Sequence, residues 1–193
     1  MSDPGRDLSE IRSMMEKSSK ILSLSGLAGI VIGCVALAGV LFAQYVYSRA
    51  LQESLLIYLV SDAILVLVTA IIVALVFSSR MAKRKGLPIW NASAKHLVIE
   101  LAIPLATGGV LCISQIVHET YSFLPSTMLI FYGLALFTAS KYTIFEVRVL
   151  GLAQLAIGIL AAFLDAQGLN LWALGFGAGH IVFGVRVYLK YER

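Results

Sequence analysis

Residues 54–78 read SLLIYLVSDAILVLVTAIIVALVFS. Asp62 is the one charged residue in the run, and neither Gly nor Pro interrupts it. The hydrocarbon core of a bilayer is about 30 Å thick, so a spanning helix needs about 20 apolar residues at about 1.5 Å each. This run exceeds that length. Comparable runs lie at 21–46, 97–117, 123–140, 148–165 and 170–189, which makes six. Hydrocarbon offers the backbone no water, so each run is expected to satisfy its own hydrogen bonds as a helix. The expected fold is all-α: a polytopic transmembrane bundle of six helices over 21–193, preceded by a polar segment 1–20.

Composition agrees. Of 193 residues, 59% are hydrophobic and 13% are charged. Adding the 16 glycines brings the apolar share to about two-thirds, against roughly 45–50% for a soluble domain counted the same way. So little polar surface cannot cover a soluble globule. The same figures exclude a disordered chain, a disulfide scaffold and a nucleic-acid domain. Six spans use about 120 residues at about 20 each, which leaves no room for a soluble catalytic domain.

The basic residues orient the chain. Arg6, Arg12, Lys17 and Lys20 precede the first run. Arg80, Lys83, Arg84 and Lys85 form a basic cluster in the 79–96 connection, where Lys95 also lies and Gly86-Leu87-Pro88 breaks any helix. Lys141 and Arg148 flank the fourth connection, and Arg186, Lys190 and Arg193 close the chain. Arg49 alone falls on the other side. The positive-inside rule then puts both termini in the cytoplasm. The net charge of +4 records orientation and contact with anionic lipid heads, with no nucleic-acid partner. Tyr45, Tyr47, Tyr121 and Trp172 at outer ends, with Trp90, Tyr142, Tyr188 and Tyr191 at inner ones, form the aromatic belt of interfacial rings.

Segment 1–20 lacks the pattern of a secretory signal peptide. Leu8, Ile11, Met15 and Ser18 fall near helical spacing, leading on to Leu22, and Asp7 with Glu10 has capping-box spacing. It reads either as an amphipathic helix on the membrane surface or as a solvated leader.

Two stretches share a pattern. Gly26-Leu27-Ala28-Gly29-Ile30-Val31-Ile32-Gly33 and Gly151-Leu152-Ala153-Gln154-Leu155-Ala156-Ile157-Gly158 both read G-L-A-x-x-x-I-G, with a weaker echo at Leu101-Ala102 and Gly108. Three helical-hairpin repeats about an axis along the membrane normal would produce this. Gly29 with Gly33, and Gly175 with Gly179, have G-x-x-x-G spacing, which puts small residues on one face for close helix packing. Gly175-Phe176-Gly177-Ala178-Gly179 has no preceding strand, so it is no phosphate-binding loop.

The last hairpin, LGLAQLAIGILAAFLDAQGLNLWALGFGAGHIVFG (150–184), resembles the short repeats of HdeD-type acid-resistance membrane proteins, which also have six helices built from paired repeats. The stretches IWNASAKHLVIELAIPLATGG (89–109) and LIFYGLALFTASKYT (129–143) resemble uncharacterised bacterial six-helix membrane proteins. The resemblance implies fold and a bacterial inner membrane, and supplies no activity. The charged N-terminal segment and the 79–96 connection depart from the HdeD-type pattern, so no acid-stress role is carried over.

Ionisable groups inside a membrane cost about 2.5–3.5 kcal/mol on insertion scales and mark functional sites by default. Three form the candidate intramembrane polar site: Asp62, Glu100 and His180. Asp62 shares a helical face with Tyr58 and Thr69, and is either a proton or cation site or a register-holding hydrogen bond. Glu100 precedes Pro104 by four residues, so the proline should kink the helix and free the Glu100 carbonyl. Its side chain either opens a polar pocket with Thr107 and Gln115 or pairs with Lys95 or Arg84. His180 is either a proton relay with Asp62 or a neutral ring donating one hydrogen bond. Tyr132 lies deep and needs a hydrogen-bond partner.

Cys34 and Cys112 are expected as buried apolar thiols. No metal-ligand spacing, G-x-S-x-G or H-E-x-x-H occurs, so no catalytic residue, metal or cofactor is assigned. The first functional reading is therefore a non-enzymatic partner-binding or accessory membrane protein, its partners the bilayer and either a second copy or another membrane protein. A small proton-coupled carrier using Asp62, Glu100 and His180 is the alternative, and an intramembrane enzyme the third.

Overall fold

The structure is a computed structural model and describes residues 24–49, 55–86, 88 and 90–193. The 1–20 segment lies outside the described residues.

Each apolar run is a helix. α1 is Gly26–Arg49, α2 is Leu55–Arg84 and α3 is Ala92–Val117. α4, Leu124–Ala139, is lengthened by a 3-10 turn at either end, Tyr121–Phe123 and Ser140–Tyr142. α5 is Phe145–Phe163. α6 runs from Asp165 to Tyr191 with an irregular first half: a 3-10 turn Asp165–Gln167, an α-turn Gly168–Trp172, a π-helical stretch Ala173–Gly179, then regular α-helix His180–Tyr191. No strand occurs among the described residues, and all six helices are long and apolar enough to cross a membrane.

The connection expected over 79–96 is shorter, spanning residues 85–91. Hydropathy ends a run at its first charges, but Arg and Lys are good helix formers, and α2 continues through Arg80, Lys83 and Arg84. The two last-turn cations also favour the negative end of the helix dipole. Gly86, at φ 64°, adopts the left-handed conformation that side chains resist, just beyond the helix. Asn91 starts α3 by accepting the Ala94 N–H at 2.8 Å through Oδ1.

The helices pack in the order α2, α1, α6, α5, α4, α3. The order departs from the chain at one place: α1 packs on α6, joining the first and last helices. α2 and α3 are consecutive in the chain but make no substantial contact with each other. They form the two edges of an open bundle. None of the apolar stretch of α2 is buried and 6% of that of α3, against 44% for α1.

Glycines explain which helices close up. At α1–α6, a Cβ on Gly26 would lie 2.3 Å from the Tyr188 backbone nitrogen, and one on Gly33 2.6 Å from the Gly177 carbonyl. From the other side, a Cβ on Gly184 would lie 2.5 Å from the Gly26 carbonyl. At α4–α5, Gly133 and Gly151 face each other's backbones, and Gly158 packs on Ile130. Backbone touches backbone in both pairs, the arrangement small residues permit in membranes. α2 contains no glycine.

One end of the bundle collects the basic residues. There Lys190, near the end of α6, donates to Glu146 Oε1 at the start of α5 at 2.7 Å. Tyr191 donates to Glu146 Oε2 at 3.0 Å. His96 of α3 stacks on Tyr142 after α4, with ring centroids 5.3 Å apart. The Gly26 N–H donates to Glu192 beside the start of α1. A small core of Ile144, Val147 and Val187, ringed by Leu24, Leu136, Phe183 and Tyr191, fills this end.

Candidate functional site

His180 is the first residue after the π-helical stretch and is 3% exposed. Its Nε2 lies 2.8 Å from the Tyr132 hydroxyl of α4. This is the partner the deep tyrosine requires. Phe176 stacks on the imidazole at a centroid distance of 6.0 Å, and Tyr132 and Trp172 pack on Phe176 in turn. With the ring proton on Nδ1, the hydroxyl donates to Nε2. Nδ1 is buried and makes no hydrogen bond.

The π-helical stretch supplies a second polar element. Its i→i+5 bonding displaces the backbone register, and Gln154 of α5 donates through Nε2 to the Gly175 carbonyl at 2.9 Å. Gln154 is fully buried, and its Oε1 has no partner. Tyr132, Gln154 and His180 thus bring three helices together around one backbone irregularity. π-bulges recur at functional sites.

Glu100 and Pro104 behave differently. α3 continues through Pro104 as one helix. The carbonyl of Glu100, whose usual donor is the N–H that Pro104 lacks, lies 3.1 Å from Thr138 Oγ1 of α4. That hydroxyl is equally close to the Leu134 and Ala135 carbonyls of its own helix, so its one proton is shared among them. The Glu100 side chain forms no ion pair with Lys95 or Arg84. Thr107 donates to the Ile103 carbonyl, while Gln115 donates to Thr127 Oγ1 on α4 at 2.7 Å. The two therefore serve their own helix and the α3–α4 contact.

Asp62 lies on α2 beside α1: a Cβ on Gly39 would sit 3.4 Å from its Oδ2. It is half-buried and has neither a hydrogen bond nor an ion pair among the described residues. No hydrogen bond or ion pair joins any two of Asp62, Glu100 and His180. Asp62 and Glu100 belong to the opposite edge helices, and His180 to the interior.

Gly29 and Gly33 pack tightly on α6, as G-x-x-x-G spacing anticipates. Gly175 and Gly179 lie in the π-helical stretch and both face Gln154 of α5, but not equally closely. A Cβ on Gly175 would meet Gln154 Oε1 at 2.5 Å, but one on Gly179 would find nothing nearer than 3.5 Å. Cys34 is exposed, contrary to the expected buried thiol, because it turns outward from α1, while Cys112 is half-buried. Among the described residues no three His, Cys, Asp or Glu side chains cluster as metal ligands.

Sequence reasoning missed Gln154 as a polar site and the Glu146 contacts. A glutamine inside the glycine-patterned run was the available signal for the first. Glu146 lay outside the apolar runs and drew no attention. Compared with known protein families, curated proteins and solved structures, the chain matches none.

Proposed function

We propose that this protein is a non-enzymatic membrane protein that works by side-to-side association, with α2 as the contact helix and a spanning helix of another membrane protein as its partner. Asp62 carries the reading. A carboxyl in hydrocarbon without a donor is costly, by about 2.5–3.5 kcal/mol on insertion scales. Among the described residues Asp62 has no donor, and α1 is the only helix that packs substantially on α2. A partner helix bearing a hydrogen-bond donor at that depth removes the cost. The exposed Ile64, Leu65, Leu67 and Val68 around it supply the apolar contact.

The internal repeat supports this reading. The α4 stretch Leu129–Phe137 and the α6 stretch His180–Tyr188 align as LIFYGLALF and HIVFGVRVY. Gly133 meets Gly151 as Gly184 meets Gly26, and Ile130 meets Gly158 as Ile181 meets Gly33. We read α4–α5 and α6–α1 as equivalent units and α2–α3 as a third unit that lacks the glycine contact. Its helices are left for partners. We also assign both termini to the cytoplasmic side of a bacterial inner membrane, from the basic residues and the resemblance to six-helix bacterial proteins. The carrier reading would need Asp62, Glu100 and His180 around one cavity, and among the described residues no hydrogen bond or ion pair joins them.

Photo-crosslinking in native membranes tests the proposal. A crosslinker at Leu65 should capture a protein adduct of defined mass that persists in Asp62→Asn, whose amide still hydrogen-bonds, and disappears in Asp62→Leu. The same probe at Phe163, 82% exposed on α5, should capture lipid only. Lipid alone at Leu65, or an adduct indifferent to Asp62→Leu, overturns it. An adduct of twice the chain mass identifies a second copy and replaces the heterologous partner.

A further inference from the structure

At the basic end, the turn from α4 to α5 borders a half-open cavity of about 250 Å³ lined by Phe137, Ser140, Lys141, Thr143, Phe145 and Arg148. We propose that this cavity binds the phosphate of an anionic phospholipid.

Charge is the first argument. Lys141 and Arg148 both line the cavity and both are exposed. Among the described residues neither forms an ion pair. The nearest acid in sequence, Glu146, is 3% exposed and held by Lys190 and Tyr191. It therefore does not neutralise the two cations, and no acid among the described residues pairs with either.

Geometry is the second. The Arg148 guanidinium lies over the Phe137 ring, 5.2 Å from its centroid. This contact holds the planar donor group at the rim of the cavity, where it can bind two phosphate oxygens at once. Ser140 commits its hydroxyl proton to the Phe137 carbonyl at 2.6 Å, which leaves Lys141 and Arg148 as the charged donors in the lining. His96 stacked on Tyr142 braces the turn from the α3 side.

Position is the third. The cavity lies where spanning helices end, at headgroup depth. From it Phe145, Val149, Leu152 and Leu160 run along α5, all exposed. Their spacing of three or four residues, with Ala156 completing the stripe, keeps them on one helix face. A headgroup in the cavity lays its acyl chains along that stripe. Choline or ethanolamine would bring a third cation to a doubly positive site, so a lipid with net negative charge is selected. Basic pockets at this depth are known lipid-head sites.

The test uses the full chain in detergent, titrated with phosphatidylglycerol, phosphatidylcholine or glycerol phosphate and followed by native mass spectrometry. Phosphatidylglycerol should be retained in preference to phosphatidylcholine. The Lys141→Gln/Arg148→Gln double variant should weaken phosphatidylglycerol binding about 30-fold, from two surface charges. Arg80→Gln/Lys83→Gln, which removes as much charge elsewhere, should bind as the wild type does. Unchanged circular dichroism and elution show that both variants fold, and removing exposed side chains gives no reason for collapse. Equal retention of the two lipids overturns the proposal. So does undiminished binding by the cavity variant, or an equal loss in the Arg80/Lys83 variant. Glycerol phosphate binding as tightly as the lipid would identify a water-soluble phosphate ligand and overturn the lipid assignment.

Discussion

Among the described residues, His180 and Tyr132 are each the only partner the other has for its buried hydrogen-bonding atom: Nε2 for one, the hydroxyl for the other. Removing the hydroxyl strands a ring nitrogen where no water reaches. An unsatisfied buried polar group costs about 1–3 kcal/mol. Tyr132→Phe should therefore lower thermal stability in detergent by about that much. Adding His180→Leu to it should restore part of the loss, because both polar groups are then gone. A double variant that merely sums the single losses would show that the pair is not coupled. Each residue was legible alone, as a polar exception in an apolar run. Their pairing was not, since 48 residues separate them and nothing in a one-dimensional pattern sets the register of α4 against α6. Gln154 was hidden for a related reason: its partner is a backbone carbonyl, which every residue carries.

At the scale of the element, α6 shows where pattern reading stops. Hydropathy finds the helix, which at Asp165–Tyr191 extends beyond the expected run 170–189 at both ends. The π-helical stretch is invisible to it, because Ala173–Gly179 reads as small and aliphatic residues suited to any helix. The G-x-x-x-G rule treats Gly175 and Gly179 alike, yet the geometry separates them. A methyl on Gly175 collides with Gln154 Oε1 and Leu129 Cδ2, both at 2.5 Å, and Leu129 is itself fully buried. Gly175→Ala should therefore destabilise the protein by about 1–3 kcal/mol, the usual range for overpacking. Gly179→Ala has ordinary room, and alanine favours helix over glycine by about 1 kcal/mol, so it should be neutral or stabilising. Thermal unfolding of the two variants side by side checks this. Equal losses would mean that both glycines serve one packed face after all. The ends of α2 and α3 were misjudged on different grounds. Hydropathy measures what the bilayer accepts, whereas Arg80, Lys83 and Arg84 extend a helix beyond the apolar run.

The two parts of the open bundle are joined by α1 packing on α6, and this too was illegible. A hairpin reading joins helices that follow one another in the chain, while the glycine faces join the first helix to the last. Gly26 and Gly33 face α6, and α2 holds only to α1. The contact between α1 and α6 is therefore what binds residues 26–84 to the rest, since α2 and α3 make no substantial contact across the 85–91 connection. In membranes, preformed helices associate through close packing and not through a hydrophobic drive. It follows that the covalent link between α2 and α3 is dispensable once α1 can dock. Co-expression of residues 1–86 and 87–193 as separate chains should yield a complex that co-purifies in mild detergent. Gly33→Leu in the first chain should abolish it, because even a Cβ there would lie 2.6 Å from the Gly177 carbonyl and a longer side chain has no space. Gly109→Leu in the second chain should leave it intact, because Gly109 faces open space. Fragments that co-purify equally well with Gly33→Leu would show that α1 and α6 do not hold the two parts together, and the packing order α2, α1, α6, α5, α4, α3 would have to be abandoned.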